Sequence, residues 1–185
     1  MLNLFLDTTN DDLVFVIEKN GSLLEMLQLD ACRNQSELFI PNLKKILLKH
    51  KLKLSDFNNC YLLNGPGSYM GTKVGLTFAK TLKILNNNIV ILTMNSMKFQ
   101  TFTENSISLI NARGNKWYCG VYGQNCNTIY EKLIFNNELE DIKKDFPNYK
   151  IVVDYKNVDY YKNFYSLRSF FQEVEDISKL EPIFL

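Results

Sequence analysis

One histidine, His50, stands in this chain. A zinc protease of the HExxH type needs two, as does a His-x-x-x-His metallopeptidase, so both are excluded, and no metal site is expected. Cys32, Cys60, Cys119 and Cys126 contain no CxxC pair, which removes zinc ribbons and thioredoxin-type centres. The four read as free thiols in a reducing compartment. A nucleophilic cysteine would need a base, and only His50 is on offer. Gly65-Pro66-Gly67-Ser68-Tyr69-Met70-Gly71-Thr72-Lys73 invites comparison with a phosphate-binding Walker A loop. It fails that template, because Thr72 precedes Lys73 where glycine belongs. A glycine-rich turn opening a helix still offers backbone N–H groups to an anion.

The elements that position these residues belong to a chain of 185 residues, 46% apolar, with 21 basic and 20 acidic side chains. That length suits one domain or two small lobes, and buries roughly 70% of the unfolded surface without disulfide or metal staples. Residues 1–92 carry 10 basic and 8 acidic groups, and 93–185 carry 11 and 12. Neither half reads as a nucleic-acid binder by net charge. There are 22 Asn, and 18 Lys against 3 Arg, a bias that AT-rich codons explain without chemistry. No run of about 18 apolar residues occurs, and the acidic start MLNLFLDTTNDD lacks a secretory n-region and h-region. A cytoplasmic protein with no membrane contact is expected.

Leu2–Leu6, Leu13–Glu18 and Ser22–Leu29 read as three antiparallel strands, the last two joined by Lys19-Asn20-Gly21. Asn-Gly is a strong hairpin signal, since both turn positions need φ > 0. Asn34 with Glu37 predicts a reciprocal N-cap. Leu38, Leu43, Ile46 and Leu47 follow helical spacing, and Pro41 predicts a bend or restart. Cys60–Leu63 is a buried-type strand, 68–85 a long helix, Ile89–Leu92 a strand and 94–103 a short helix. Strand–helix–strand implies a parallel crossover.

The pattern then begins again. Ser106–Asn111, Lys116–Tyr122 and Thr128–Phe135 are strands, with a turn at Gln124-Asn125-Cys126-Asn127. A helix at about 137–145, a strand at 149–153 and an aromatic-rich helix at about 160–173 follow. Such a repeat changes the fold class. Three antiparallel strands followed by helix–strand–helix is the ribonuclease-H-like unit. Two in tandem are the α/β architecture of actin, sugar kinases and Hsp70 ATPases, the actin-like ATPase (ASKHA) fold. The lobes are expected at 1–103 and 104–185, the second shortened.

On a wheel of the 68–85 helix, Gly71, Gly75 and Ala79 form a small-residue stripe flanked by Val74, Phe78, Leu82 and Leu85. Each glycine costs roughly 1 kcal/mol relative to Ala, a cost that fits close backbone approach. The approach is either to the chain's own sheet or first helix, or to a helix of another chain. Leu76 sits with Lys73, Lys80 and Lys83, off the stripe, near Tyr69 and Met70. Lys44, Lys45, Lys49, Lys51 and Lys53 cluster with no acid between Glu37 and Asp56. They are either a solvated face complementing the helix dipole or a phosphate-backbone contact.

Asn64-Gly65-Pro66-Gly67-Ser68-Tyr69-Met70-Gly71-Thr72-Lys73-Val74-Gly75 resembles the G-P-G-S-F-T-G-x-R-x-G signature of the bacterial TsaB (YeaZ) family. Leu4-Phe5-Leu6-Asp7-Thr8-Thr9 resembles its L-x-I-D-T-A/S start. Gln35-Ser36, with Leu38 and Pro41, resembles its first-helix H-S/T-x-x-L-x-P. Asn111-Ala112-Arg113, with Tyr118 following, resembles its D-A-R. Pro182-Ile183-Phe184-Leu185 resembles its P-x-Y-L close. The departures are Gln35 for histidine, Asn111 for aspartate and Lys73 for arginine. Each removes a charge or a titratable group, or softens donor geometry. Such changes harm a catalytic site and are tolerable in a scaffold.

The resemblance implies a non-catalytic subunit, without metal or cofactor, that pairs with a TsaD-like catalytic subunit and a TsaE-like ATPase. Together these make N6-threonylcarbamoyladenosine at tRNA position 37, with tRNA met only through the complex and a homodimer when TsaD is absent. TsaB proteins meet TsaD through their first two helices, here about 35–49 and 68–85. That implies an interface at Gln35, Leu38, Phe39, Ser68, Tyr69, Met70, Gly71, Gly75 and Leu76. It also implies a vestigial nucleotide cleft at Asp7, Thr8, Thr9, Gly65, Gly67 and Arg113. An ATP-binding protein with weak hydrolase activity is the alternative. Asp7-Thr8-Thr9 holds the place of the first phosphate loop, where Asp would orient Mg²⁺ or water. Active members place glycine there, and none occurs in residues 1–20.

Overall fold

A computed structural model describes residues 1–32 and 34–185. Strands β1 (Leu2–Asp7), β2 (Leu13–Lys19) and β3 (Ser22–Leu29) form an antiparallel meander. Asn20 and Gly21 take φ of 53° and 82° in its hairpin, as the Asn-Gly turn requires. Helix α1 (Gln35–His50) leads to β4 (Asn59–Leu63), and α2 (Tyr69–Leu85) leads to β5 (Val90–Met94) and the short α3 (Ser96–Gln100). β4 and β5 run parallel to β1, so α1 and α2 are crossover helices. The motif then recurs: β6 (Ser106–Arg113), β7 (Lys116–Tyr122), β8 (Thr128–Phe135), α4 (Leu139–Asp145), parallel β9 (Lys150–Val153) and α5 (Tyr160–Leu167). The sheet orders are β3-β2-β1-β4-β5 and β8-β7-β6-β9, one plan used twice. This is the doubled actin-like ATPase fold.

The chain does not end in the second sheet. A two-residue strand, β10 (Gln172–Glu173), returns to pair antiparallel with β5 at the edge of the first sheet. A division at 103/104 would assign those residues to the second lobe. The helix expected over 160–173 stops at Leu167 for the same reason, because the following residues turn and extend to reach β5.

Alternation along β1 sets the layers. Leu2, Leu4 and Leu6 point to α1 and α2, joining Phe15, Phe39, Leu76, Ala79 and Leu82 in one core. Phe5 points the other way, into an aromatic core shared by the two sheets, α3 and α5. Its ring centroid lies 4.9 Å from Phe164 and 5.1 Å from Phe99. Asp7 shares that inward face, at the last position of β1. Glu18 on β2 is fully buried toward the other end of β1, bonded by Asn3 at 2.9 Å and paired with Arg168 just beyond α5. A third, smaller core lies under α4.

Three expectations need correction. Pro41 does not restart α1, which is one element from Gln35 to His50. Pro41 and Glu37 are both exposed, so the carbonyl left without a partner meets water. Asn34 starts α1 without a side-chain cap; its amide donates to the Glu37 carboxylate at 3.3 Å instead. Leu76 is buried and Leu85 exposed, the reverse of the wheel reading. α2 packs on the sheet, on α1 through Phe78 and Phe39, and on the returning segment Ile177–Lys179, so its buried arc is wider than the glycine stripe. At the other end of α1, Lys51 takes φ of 53°, and the Leu52 N–H reaches the Leu47 carbonyl at 2.9 Å, closing a Schellman-type cap.

Candidate functional site

The end of β1 meets the start of α2 in close backbone approach. Ser68 caps α2, its hydroxyl accepting from the Gly71 N–H at 3.2 Å. The Ser68 N–H donates to the Thr9 carbonyl at 2.6 Å. A Cβ at Gly67 would stand 2.0 Å from the Thr9 carbonyl oxygen, and one at Gly71 1.9 Å from that of Thr8. Only glycine admits such an approach. At Gly75 the obstacles are side chains, Thr8 Oγ1 at 2.7 Å and Leu6 Cδ1 at 3.2 Å. The small-residue stripe therefore packs on the chain's own first strand and loop. This corrects the interface expected from it: Gly71, Gly75 and Leu76 are buried within the protomer, as are Phe39 and Gln35.

Gln35 has a definite task. Its amide donates to the carbonyls of Asn10 at 2.6 Å and Asp12 at 2.9 Å, pinning the loop after β1 to the first turn of α1. Leu38 is half-buried against the first core. Ser68, Tyr69 and Met70 are exposed, with Lys73 over the Tyr69 ring at 4.1 Å. Other large apolar side chains are exposed on the same two helices, Ile40 and Leu48 on α1 and Ile84 and Leu85 at the far end of α2.

Asp7, Thr8 and Thr9 are brought together with Gly65 and Gly67, but under cover. Asp7 is fully buried. One of its oxygens accepts from the Thr9 N–H at 2.8 Å and the Thr9 hydroxyl at 2.7 Å, and the other from the Asn10 amide at 2.7 Å. Burial still dominates and lifts its pKa from 3.8 to about 7, with the charge of Asp12 adding to the rise. Thr8 Oγ1 has no hydrogen-bond partner among the described residues. A Cβ at Gly65 would stand 2.9 Å from the Ile183 carbonyl oxygen, and the Ile183 N–H donates to the Asn64 carbonyl at 2.8 Å. The terminal Pro182-Ile183-Phe184-Leu185 thus lies on the glycine loop, with Phe184 5.6 Å from the Tyr69 ring. Arg113 lies apart, exposed at the turn between β6 and β7 with φ of 62°.

Two tyrosines that the sequence did not single out close this region from the second lobe. The Tyr160 hydroxyl accepts from Asn10 at 3.1 Å and donates to Asp12 at 3.2 Å. The Tyr155 hydroxyl donates to the Ser96 carbonyl at 2.9 Å, and the Ser96 hydroxyl reaches Thr9 Oγ1 at 3.0 Å. The two rings stack at 5.9 Å. Burial, reinforced by the nearby Asp7 charge, pushes both hydroxyl pKa values up, so both stay protonated donors. Their one legible signal was the aromatic density of 155–165. Among the described residues no cluster of three or more His, Cys, Asp or Glu could hold a metal ion, and no helix is long and apolar enough to cross a membrane.

The family described as TsaD: tRNA N6-adenosine threonylcarbamoyltransferase matches residues 29–144. An uncharacterized protein of Mycoplasma genitalium is 30% identical over 185 residues, covering 98% of this chain and 93% of that protein. The tRNA threonylcarbamoyladenosine biosynthesis protein TsaB of Buchnera aphidicola is 25% identical over 162 residues, 81% of this chain and 76% of that protein. The solved structure of YeaZ from Pseudomonas aeruginosa superposes with a TM-score of 0.77 over 100% of this chain and 99% of that one, at 16% identity. Fold and site together define an actin-like-fold protein in which Asp7, Thr8 and Thr9, at the end of β1, are covered by its own chain. The chain belongs to the family described as TsaD: tRNA N6-adenosine threonylcarbamoyltransferase.

Proposed function

We propose that this chain is a non-catalytic subunit that docks on a TsaD-like threonylcarbamoyltransferase, together with a TsaE-like ATPase, in forming N6-threonylcarbamoyladenosine at tRNA position 37. One observation carries this reading: the residues an actin-like ATPase would turn toward phosphate are filled from within. Asp7, Thr8 and Thr9 have essentially no exposed surface, and the backbone of the glycine signature is spent on Thr8, Thr9 and Ile183. What the chain offers outward instead is the surface of α1 and α2. Ile40, Leu48, Tyr69, Met70, Ile84 and Leu85 are exposed there, a set of apolar side chains in keeping with a protein interface.

The docking residues in this reading are Ser68, Tyr69 and Met70 with the apolar neighbours just named. Size-exclusion chromatography with the TsaD-like partner tests it. Co-elution of the wild type and its loss in Met70→Glu with Leu48→Glu, both variants of normal Tm, are the expected results. Absence of co-elution at micromolar concentration, with both proteins folded, sinks it. Mg-ATP titration addresses the ATP-binding alternative; tight binding by the isolated chain would overturn the filled-cleft reasoning.

A further inference from the structure

We propose that the C-terminal end of α1 is a surface for the phosphate backbone of RNA, formed by Lys44, Lys45, Lys51 and Lys53. It rests on the tRNA reading above and adds a direct contact to it; Lys44 stands between Ile40 and Leu48 on one face of α1, so RNA would meet this surface at the rim of the protein interface. Residues 38–55 carry five lysines, one histidine and no acid, a local charge of +5 with His50 neutral. The rest of the chain therefore sums to −4, and the overall +1 conceals a strong separation of charge.

The structure disposes of two plainer explanations for most of these lysines. The first is ion pairing. Glu25 on β3 takes Lys49 and, at 2.7 Å, His50. Lys44, Lys45, Lys51 and Lys53 have no acidic partner among the described residues, and all four are exposed. The second is the helix dipole, whose effect fades within the last turn. That turn holds Lys49 and His50; Lys44 and Lys45 lie further back, and Lys51 and Lys53 lie beyond the helix end. The carbonyls of Leu47 and Leu48 already bond Leu52 and Lys51.

What remains is four like charges within ten residues, a self-repelling arrangement that a polyanion relieves. The spacing suits a backbone more than a point anion. Lys44 and Lys45 point from the helix, while the left-handed Lys51 swings the chain so that Lys51 and Lys53 continue past its end. Such contacts carry position and affinity, and no base sequence.

Titration of fluorescent tRNA with the full-length chain tests this, read by anisotropy from 50 to 200 mM salt. Four phosphate contacts predict a log–log slope of about −2.8 to −3.6, hence a roughly 50- to 150-fold loss of affinity across that range. The variant Lys44→Gln, Lys45→Gln, Lys51→Asn, Lys53→Gln should flatten the slope by about 3 with Tm unchanged, asparagine being chosen to keep the left-handed turn. A second variant, Lys116→Gln, Lys132→Gln, Lys143→Gln, Lys144→Gln, should keep the wild-type slope. No binding at 50 mM, or equal flattening by both variants, overturns the proposal. So does binding to phosphatidylserine vesicles in place of tRNA. Loss of co-elution with the TsaD-like partner in the first variant, at an unchanged tRNA slope, also overturns it and gives these lysines to the protein interface. Failure of the wild type to co-elute bears on docking alone, since the tRNA titration uses this chain by itself.

Discussion

Replacing Gly71 by alanine asks which way the small-residue stripe faces. In an exposed helix interior this change stabilises by about 1 kcal/mol, because glycine pays more backbone entropy. Here the new methyl would sit 1.9 Å from the Thr8 carbonyl oxygen and 2.5 Å from Gln35 Oε1. Ordinary contact needs roughly 3.2–3.4 Å, so helix and loop must part by more than about 1 Å. Neither yields easily. The loop is held by the Asp7–Thr9 bonds and by Gln35, and Ser68 ties the helix start to Thr9. Overpacking of this kind costs about 3 kcal/mol, leaving a net loss of about 2. For a chain of this length that lowers Tm by about 4–8 °C. Gly75→Ala should be milder, within about 1 kcal/mol of wild type, because Thr8 Oγ1 and Leu6 Cδ1 are side-chain atoms able to rotate away. Circular-dichroism melts of both variants decide the matter. A Gly71→Ala protein as stable as wild type, yet unable to dock, would refute the intramolecular reading.

Two further outcomes follow from buried charge. Burial holds the Asp7 pKa near 7 against 3.8 in the unfolded chain, so between those values the folded state binds the extra proton. Stability from this group is therefore greatest at low pH and declines as pH rises from about 4 to about 7, by about 4 kcal/mol in all. Asp7→Asn should remove that decline; urea unfolding at pH 5 and pH 8 with the same pH dependence as wild type would contradict it. Arg168→Ala strands the fully buried Glu18 without its cation and should cost about 3 kcal/mol, with partial recovery on adding Glu18→Gln. A thermal melt of the single variant at the wild-type Tm would show that the pair contributes nothing.

The strands, the Asn20-Gly21 hairpin and the repeat were legible because they rest on local periods and turn chemistry. The facing of α2 was not. A helical wheel tells which residues share a side, and Gly71, Gly75 and Ala79 do, but not what lies against them. Leu76 misled for the same reason, since it lies on the side of α2 away from Phe78 and α1, an arc covered only when the chain returns around Ile177–Lys179. Gln35 stood at a recognisable position, yet its bonds to Asn10 and Asp12 join residues 23 to 25 apart in sequence. Tyr155 and Tyr160 close over the first loop from about 150 residues away, and β10 is too short to leave any period. Such long-range closures are where pattern ends and tertiary packing decides.

The return of the chain to its first sheet has a consequence for biosynthesis. Gln172 and Glu173 cap the outer edge of β5, and Ile183 settles on Asn64 two residues before the last. On a ribosome these residues emerge only after the other strands of both sheets. The first lobe, although made early, waits through the synthesis of the whole second lobe with one sheet edge bare and its glycine loop uncovered. Unpaired edges in that interval invite association with other nascent chains. Truncation anywhere before residue 172 would thus leave the first-made part of the protein with its sheet edge unpaired.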